Sequence, residues 1–472
     1  MRWVVFAPEI YYFCAGAVFF LLSFSARPQP RRDHLVALSA AVLGIVVTFA
    51  SITSQSTLCA EAYRADLYSQ VFKALLAVGL FLVLCLCSEL KGIEKTRHAE
   101  FYLLLMVCTL GTMMLVSSAE LITLYVALEV TSYSLYILVA LRADYAQSAE
   151  TGLKYFLIGA VTSAVMLFGM ALLYGATGTT YMADIRQAFL SVPGAAMASV
   201  GLLLTLSAFF FKLALFPFHI WAPTVYQGAT NQVTAYIATV TKVAAIALTI
   251  RIVALGAGAA MPMTRILVVL AIASMTLGNL TAIVQKDIKR LLAYSAIAHA
   301  GYVLVGILSM SESGYAGAVF YALAYLVLSF TCFLVIVKVA QDGNNLDISQ
   351  LAGLHRRSPL LAAALMLGVF GLGGIPPTIG FTGKFFVFTA AMESGYFFLV
   401  IISMINVVIS LYYYALIVKA AYILKPEGEP APIKLSVGTR LLTLGMVSVM
   451  IAGGIFPGQL YGLARAAARA LV

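Results

Sequence analysis

The sequence has very little charge. Lysine, arginine, aspartate and glutamate make up 10% of its 472 residues, whereas hydrophobic residues make up 62%. The mean hydropathy is +1.00, and no polar block is long enough to fold as a separate soluble domain. Apolar runs of roughly 20 residues, the length at which a helix crosses a bilayer, recur along the whole chain. These features exclude a soluble globular protein and predict an all-α polytopic membrane protein.

Residues that usually hold metals and cofactors are also scarce. The six cysteines are scattered and form no CxxC pair, so we expect neither a zinc nor an iron–sulfur site and interpret them as small buried hydrophobic residues. The sequence has no Walker phosphate-binding loop and no GxGxxG motif after a strand. We therefore expect no cofactor bound by this chain, and any electron transfer would belong to partner proteins.

Fourteen membrane spans are predicted from the apolar runs, and the twelfth is expected to be broken. They lie near residues 5–24, 35–54, 67–89, 101–117, 119–141, 151–175, 198–221, 231–254, 265–285, 289–309, 315–340, 358–391, 395–423 and 437–457. The first run is interpreted as a retained span and not as a cleaved signal peptide. We also expect a short surface helix within 176–197, a polar connector at 424–436 and an amphipathic tail at 459–472.

Lysine and arginine are concentrated in the loops that follow the odd-numbered spans. Because loops rich in these residues stay in the cytoplasm, the pattern predicts that both termini lie outside and that the number of spans is even. The net charge of +10 would suggest nucleic-acid binding in a soluble protein, but here it is explained by membrane topology. We expect no nucleic-acid partner.

Residues 205–223 contain the most informative charge. Lys212 lies in the middle of an apolar run, where a charged side chain is costly and is expected to face a protein interior or water. Snorkelling to a helix end is the alternative, which its central position disfavours. Pro217 is expected to break the seventh span. His219, which titrates near neutrality, lies seven positions after Lys212, about two turns along a helix on roughly the same face.

Four further lysines lie within the predicted spans. Lys242, in the middle of the eighth span, and Lys384, after the break in the twelfth, are interpreted as functional. Lys154 lies one turn inside the sixth span, and both snorkelling and function remain open for it. Lys73 is close to the outer end of the third span and is interpreted as interfacial.

Glu129 is an acidic residue near the centre of the fifth span, with no basic neighbour in the sequence. Such a carboxylate needs a cation from another helix or a bound proton, so we expect it to be ion-paired or functional. His299 lies in the tenth span, where an ordinary packing histidine and a functional one are both open.

An internal repeat is suggested by corresponding features. Pairs of tyrosines eight positions apart flank both Glu129 and His299, and the seventh and twelfth spans both break at proline. Units of five spans would make the second copy insert upside down, as in inverted-repeat transporters. Aligning Pro217 with Pro376 does not superpose the lysines, so the repeat supports a fold more than a duplicated site. The predicted domains are an N-terminal three-helix segment, two five-helix repeats, and a C-terminal segment with the connector, the last span and the tail: 1–100, 101–254, 265–423 and 424–472.

Side by side, the two repeats would bring five titratable residues into a line across the membrane: Glu129, Lys212, Lys242, His299 and Lys384. Such groups, bridged by water, can pass protons. A carboxylate beside a buried lysine keeps the lysine protonated, and moving the carboxylate away releases the proton. Lys154 and His219 are candidates for proton access from the cytoplasmic side.

Four stretches carry a resemblance to a known family: residues 149–160, 211–229, 289–302 and 374–386. The second contains Phe216-Pro-Phe-His-Ile-Trp-Ala-Pro223. Together they resemble the antiporter-like, Mrp-related membrane subunits of respiratory complex I, in the branch of its subunit N, over nearly the full chain. The resemblance implies an ion pair between Glu129 and Lys212 that links spans 5 and 7. Lys242 would be the central lysine and Lys384 the lysine of span 12.

The resemblance also implies proton translocation coupled to NADH oxidation by quinone elsewhere in the complex. NAD, FMN, iron–sulfur clusters and quinone would be bound by partner subunits, and the partners in the bilayer would be other antiporter-like and small helical subunits. The location would be the bacterial inner (plasma) membrane with both termini on the periplasmic side. Lys154 and His219 match positions where the family has a lysine and a histidine. No long lateral helix follows the last span, which favours subunit N over subunit L.

Two alternatives remain open. The chain could be the related subunit of a multisubunit sodium/proton antiporter, although a sodium site needs clustered oxygen ligands and one membrane glutamate is thin support. It could also be a membrane scaffold with stabilising ion pairs and no transport. A scaffold gives no reason for two broken helices, and it predicts that Glu129→Gln lowers assembly and not pumping per assembled complex.

Overall fold

The structure is a computed structural model that describes residues 2–25, 27–143, 148–191, 196–255, 262–340, 342–426 and 431–471. Its α-helices are α1 (Ala7–Ser23), α2 (Pro30–Ala50), α3 (Leu67–Cys85), α4 (His98–Ser117), α5 (Leu121–Ala140), α6 (Ser148–Thr177), α7 (Met182–Ser191), α8 (Ala196–Leu213), α9 (Trp221–Gly228), α10 (Asn231–Leu255), α11 (Pro262–Ile283), α12 (Ile288–Leu308), α13 (Glu312–Val339), α14 (Leu354–Arg357), α15 (Pro359–Gly373), α16 (Ile379–Glu393), α17 (Phe397–Tyr422), α18 (Val437–Ile455) and α19 (Gly458–Arg469). Three short 3-10 helices span Arg2–Phe6, Lys95–Arg97 and Ile348–Leu351, and two strands are β1 (Ser56–Leu58) and β2 (Tyr63–Ala65).

The helices confirm the predicted spans. Among the described residues, thirteen helices are long and apolar enough to cross a membrane. The remaining predicted span, 358–391, is divided into α15 and α16. The seventh predicted span, 198–221, is helical only as far as Leu213, the end of α8, and α9 begins at its last residue, Trp221. An apolar chain adopts helices in a bilayer because each helix satisfies its own backbone hydrogen bonds. The predicted surface helix within 176–197 is α7, and the predicted tail contains α19; residues 427–430 of the connector lie outside the described residues.

Helix α10 lies at the centre of the bundle. Every residue from Asn231 to Leu255 is buried, and the helix packs against α3, α4, α8 and α13. Helices α1, α2 and α18 lie at the periphery, where less than half of each span is buried. Because α10 is enclosed on all sides, its ionisable side chains must find partners within the protein.

Both ends of the chain lie on the same side of the bundle. Strands β1 and β2 pair antiparallel, with Ser56 opposite Ala65. The Tyr63 hydroxyl of β2 donates to Glu9 near the start of α1 (2.6 Å). Arg64 of the same strand donates to the carbonyl of Ala470 near the chain end (3.4 Å). An even number of crossings, as predicted, returns the chain to the side where it began.

Helix α8 ends in a tight backbone turn inside the bundle. Ala214 adopts a left-handed conformation with φ of 58°. Its N–H donates to the carbonyl of Phe211 (2.9 Å), and the N–H of Leu215 donates to that of Phe210 (2.8 Å). This is the Schellman pattern, which usually has glycine at the left-handed position because a Cβ costs about 1–2 kcal/mol there.

Helix α15 ends in the same way. Gly374 has φ of 84°, its N–H donates to Gly371 (3.0 Å), and the N–H of Ile375 donates to Phe370 (2.9 Å). Gly371, Leu372 and Gly373 are the last residues of this half-helix, and Gly374 is its C-cap.

The two turns correct the alignment of the breaks. Matching hydrogen bonds pair Ala214 with Gly374, and therefore Pro217 with Pro377 and not with Pro376. The alignment by proline alone was wrong by one residue because two consecutive prolines follow α15 and the sequence cannot distinguish them.

Helices α6 and α8 approach each other closely through two glycines. A Cβ added at Gly169 would lie 2.5 Å from the backbone nitrogen of Thr205 and 2.7 Å from the carbonyl oxygen of Gly201. A Cβ at Gly201 would lie 2.9 Å from the Gly169 oxygen. Small residues allow such backbone contact, which contributes strongly to helix packing in membranes. This contact determines where α8 lies.

Gly169→Ala is expected to destabilise the protein by about 1–3 kcal/mol, because the added methyl group must push α6 away from α8. The matched control is Gly175→Ala on the same helix, where an added Cβ meets only the Met197 side chain at 3.7 Å. The thermal unfolding midpoint of the purified protein in detergent is the measurement. Equal midpoints for the two variants would contradict close packing at Gly169.

The prediction that the cysteines are buried was wrong for two of them. Cys14 and Cys59 are exposed, Cys85 is partly buried, and Cys87, Cys108 and Cys332 are buried. Cys14 faces outward because α1 is peripheral, and Cys59 lies in the turn between β1 and β2 and not inside a span.

Candidate functional site

Lys212 lies in the last turn of α8 and is buried, with 5% of its surface exposed. Its Nζ atom is 5.9 Å from the centre of the Tyr136 ring, and within the described residues it has no hydrogen-bond partner. A cavity of about 10 Å³ adjoins it and is also lined by Thr112, Thr131 and Thr241. This volume is roughly that needed by one water molecule. The amine is therefore kept from lipid, as predicted, beside a small hydroxyl-lined cavity.

Glu129 lies near the middle of α5 and is half-buried. Its Oε1 accepts a hydrogen bond from the Ser163 hydroxyl on α6 (2.6 Å). No lysine or arginine nitrogen among the described residues lies within 4.0 Å of it, although its charge acts electrostatically on Lys212. A direct Glu129–Lys212 ion pair is thus not formed in this structure, because the carboxylate is held by α6 while the amine is enclosed between α5 and α10.

Lys242 lies on α10 and meets the broken end of α8. Its Nζ donates to the carbonyl oxygen of Leu213 (2.5 Å) and lies 5.5 Å from the centre of the Trp221 ring. The Trp221 Nε1–H donates to the carbonyl of Phe211 (2.8 Å). The last carbonyls of a helix have no partner within it and carry partial negative charge. The break in α8 thus provides acceptors for a buried cation in the middle of the bundle.

A second cavity of about 10 Å³ joins Lys242 to His299. Leu213 and Tyr325 also line it. Lys242 is 2% exposed and His299 is 4% exposed, so this cavity is closed to lipid. The two residues belong to α10 and α12, and the cavity that both line has roughly the volume needed by one water molecule.

His299 uses both ring nitrogens. Nδ1 is 2.5 Å from the Tyr321 hydroxyl on α13, and Nε2 is 3.1 Å from the Tyr414 hydroxyl on α17. The Tyr414 hydroxyl is in turn 2.5 Å from the Ser295 hydroxyl. An imidazole with a hydroxyl at each nitrogen can accept a proton on one side and release one on the other. A packing role alone would not require this arrangement.

Lys384 meets the broken end of α15 as Lys242 meets that of α8. Its Nζ donates to the carbonyls of Leu372 (2.7 Å) and Gly373 (3.1 Å). It also lies 4.8 Å from the centre of the Tyr302 ring, and its charge acts on His299. The two breaks, although unlike in sequence, each hold one buried lysine at a helix C-terminus.

Two predicted residues lie apart from this row. The Lys154 side chain is 57% exposed and pairs with Glu150 one turn away (2.5 Å). His219 is half-buried and stacks on Phe216, with ring centres 5.7 Å apart. The prediction that His219 shares a helical face with Lys212 was wrong, because α8 ends at Leu213 and the helical period stops there.

The sequence interpretation missed a buried cluster at the end of the bundle where the termini lie. Lys73 is fully buried and not interfacial, which corrects the prediction. Its Nζ lies 2.8 Å from Glu9 Oε1 and contacts the Tyr63 hydroxyl. An acidic residue near the start of the first apolar run was the available signal, but Glu9 and Lys73 lie on different spans.

A second missed pair joins α3 to α10. Arg251 Nη2 is 3.0 Å from Asp66 Oδ1, and both side chains are 6% exposed. Burial acts to raise the pKa of Asp66, but Arg251, the N–H of Ser69 and Arg64 together outweigh it and lower the pKa below its usual value. Asp66 also caps α3 by accepting from the Ser69 N–H (2.8 Å).

Sequence and structure comparisons agree with this architecture. A family model described as NADH:quinone oxidoreductase/Mrp antiporter, TM, matches residues 118–410. The NADH-quinone oxidoreductase subunit N 2 of Syntrophobacter fumaroxidans is 53% identical over 472 residues, which is 100% of each chain. The matched region begins at the end of α4, so the family model leaves out the missed cluster around Lys73.

Two solved structures extend the likeness. A chain of respiratory complex I from Thermus thermophilus with bound aureothin has a TM-score of 0.84 and 32% identity, over 97% of this chain and 99% of that chain. A chain of the Mrp complex from Dietzia sp. DQ12-45-1b has a TM-score of 0.88 and 20% identity, over 100% of this chain and 97% of that chain, which shows a shared fold. The chain belongs to the NADH:quinone oxidoreductase/Mrp antiporter transmembrane family.

Proposed function

We propose that this chain is the proton-translocating membrane subunit of an NADH:quinone oxidoreductase. Protons move along the row of Glu129, Lys212, Lys242, His299 and Lys384, driven by quinone reduction elsewhere in the complex. Partner subunits bind NAD, FMN, the iron–sulfur clusters and quinone. The Syntrophobacter fumaroxidans relative, an NADH-quinone oxidoreductase subunit that matches over the full length, supports this assignment over a separate sodium/proton antiporter.

The observation that carries the proposal is the cavity between Lys242 and His299. The cavity joins Lys242, at the end of the broken helix α8, to His299. His299 bonds to the Tyr321 hydroxyl, and the charge of Lys384, at the end of the other broken helix, acts on it. A scaffold could use buried ion pairs, but Lys242 and Lys384 are held by neutral carbonyls. Holding amines without a counter-ion is costly for stability and is useful only if they change charge.

The contacts suggest how a proton advances. In the described part of the chain neither Lys242 nor Lys384 has a carboxylate within 4.0 Å, so neither is locked in its charged form. A proton on one lysine disfavours a proton on the next, because like charges repel strongly in a poorly hydrated interior. Movement of Glu129 from Ser163 toward Lys212 would hold a proton there, and its return would release the proton toward Lys242.

The proposal includes the predicted organisation. We assign α4 to α10 and α11 to α17 as the two inverted repeats, which is supported by like helix contacts in each: α4 with α5 and α10, and α11 with α12 and α17. The matching turns at the ends of α8 and α15 further support this assignment of repeats.

We place the chain in the bacterial inner membrane with both termini on the periplasmic side, among other antiporter-like and small helical subunits. Lys154 and His219 remain candidate entry groups on the cytoplasmic side.

The test uses the purified complex containing this chain in lipid vesicles. Lys384→Met is expected to reduce NADH-driven proton uptake, measured by dye quenching, at least several-fold, while the complex still assembles because the lost charge had no carboxylate partner. The control is Lys419→Met at an exposed position on α17, which should pump normally. Normal pumping by Lys384→Met would contradict a relay through His299 and Lys384.

A further inference from the structure

A cluster of three polar residues is sealed inside the bundle outside the proposed relay. Lys73 of α3 is 0% exposed and Glu9 of α1 is 1% exposed. Tyr63 links them, since its hydroxyl donates to Glu9 Oε1 (2.6 Å) and accepts from Lys73. The second carboxylate oxygen, Glu9 Oε2, is buried and has no hydrogen-bond partner within the described residues. Glu9 Oε2 can therefore accept a hydrogen bond or a proton, whereas Glu9 Oε1, the Tyr63 hydroxyl and the Lys73 amine already bond to one another.

The backbone of Lys73 lies near the depth of the relay, whereas Glu9 and Tyr63 lie toward the end of the bundle where the termini are. Helices α3 and α10 run antiparallel. Asp66, before α3 begins, pairs with Arg251 near the end of α10, and Gly79, later in α3, lies close to Val240, earlier in α10. Interpolating between these contacts puts Lys73 within about one helical turn of the level of Lys242, using 1.5 Å per residue. Unlike the relay lysines, Lys73 has a carboxylate counter-ion, Glu9, which keeps it charged as long as that carboxylate is ionised.

Helix α4 connects the cluster to the cavity beside Lys212. That cavity is lined by Thr112 and Leu115 of α4. Tyr63 forms a backbone bridge with Ser118, one turn beyond Leu115. The Ser117 hydroxyl, between them, is buried and has no partner within the described residues. One buried hydroxyl, that of Ser117, thus lies on α4 between the residues that line the Lys212 cavity and the bridge to Tyr63.

An open cavity lies near the cluster, and Arg64, the residue after Tyr63, lines it, although Glu9, Tyr63 and Lys73 do not. This outer cavity has a volume of about 360 Å³, and Arg64, Asp184 and Arg251 are among its lining residues. Arg64 and Arg251 both pair with Asp66, at 3.4 and 3.0 Å, and Asp66 lies two turns before Lys73 on α3. The outer cavity lies on the side of the chain ends, because Leu471 also lines it.

We propose that Glu9, Lys73 and Tyr63 form a proton-release site between the cavity beside Lys212 and the outer cavity. This inference rests on the proposed function, since it supplies the exit for protons that the relay moves. No such role follows from the family match, which begins at residue 118.

The release step balances as three proton transfers. A proton from the relay binds Glu9 Oε2, which neutralises the carboxylate and leaves the Lys73 ammonium without its counter-ion. Lys73 then gives one proton to water on the outer side, because its buried ammonium no longer has a charged counter-ion. The proton on Glu9 moves through the Tyr63 hydroxyl to Lys73, and the original ion pair is restored. One proton enters and one leaves, with no net change in the site.

Tyr63→Phe is the first variant, because it removes one hydroxyl and leaves the ion pair intact. The second is the double variant Glu9→Gln, Lys73→Met, which removes both charges and so leaves no unpaired buried charge. We expect both complexes to assemble and oxidise NADH, with the number of protons moved per NADH reduced at least several-fold. Vesicle dye quenching and NADH absorbance give this ratio.

A purely structural role predicts a different result. Tyr63→Phe would then keep the parental ratio of protons to NADH even if it lowered the yield of complex, and that result overturns the proposal whether or not the double variant assembles. Lys212→Ala is measured in parallel. If Lys212→Ala loses pumping while Tyr63→Phe keeps it, only the release site is wrong; if Lys212→Ala also keeps pumping, the proposed relay itself is wrong.

Discussion

Replacing Lys212 with alanine is expected to abolish proton translocation while the complex still assembles. The Lys212 amine has no hydrogen-bond partner within the described residues, so its removal breaks no ion pair and leaves no unpaired charge. It does remove the proton-carrying group between Glu129 and the broken end of α8. Losing a positioned proton-transfer group typically costs about 100-fold or more in rate, which is indistinguishable from no pumping in a vesicle assay.

The measurement is NADH-driven quenching of a pH-sensitive dye in vesicles containing the purified complex, normalised to the amount of assembled complex on a native gel. Lys419→Ala, at an exposed site on α17, is the matched control and should pump like the parent. Lys212→Arg is a second test, because a guanidinium keeps the positive charge but does not lose its proton. Pumping by Lys212→Ala at the parental rate would contradict the relay, whatever the behaviour of the arginine variant.

Replacing Asp66 with asparagine is expected to have the largest effect on stability, a loss of about 3–5 kcal/mol, because it leaves the buried Arg251 without its counter-ion. Asparagine retains a side-chain oxygen that can accept from the Ser69 N–H, so the cap of α3 is preserved and the effect isolates the charge. The thermal midpoint and the yield of assembled complex both report it. Combining Asp66→Asn with Arg251→Met should recover most of the loss.

The control for Asp66 is the weaker partner Arg64, which lies 3.4 Å from it with half of its side chain exposed. Arg64→Ala should cost no more than about 1 kcal/mol, as exposed ion pairs do.

The pH dependence of stability tests the Asp66–Arg251 pair independently of assembly. Because folding lowers the pKa of Asp66, the pair stabilises fully above the ordinary value of about 4 and loses this stabilisation as pH falls through the folded-state value. Asp66→Asn should therefore reduce the acid-induced drop in the thermal midpoint.

Hydropathy was sufficient to find the spans and the unusual residues in them. A bilayer forces apolar stretches of about 20 residues to become helices, so the number of spans and their order could be derived without knowing which helices touch. The same rule identified Lys212, Lys242 and Lys384 as interior amines, because charge is costly in lipid. Both helix breaks were also predicted, since proline removes a backbone donor wherever it occurs.

The tertiary structure alone decided which residues are partners. Asp66 and Arg251 are 185 positions apart, and Glu9 reaches Lys73 from another span, so no local spacing could pair them. Lys73 was misjudged for the same reason: distance from a helix end indicates depth, but burial depends on whether α1 covers that face. Glu129 was expected to meet Lys212, yet the side chain turned to Ser163. The sequence by itself determined the helices and their ionisable residues, through the local cost of exposing backbone and charge to lipid; the proton path depends on side-chain contacts between distant helices, which only packing creates.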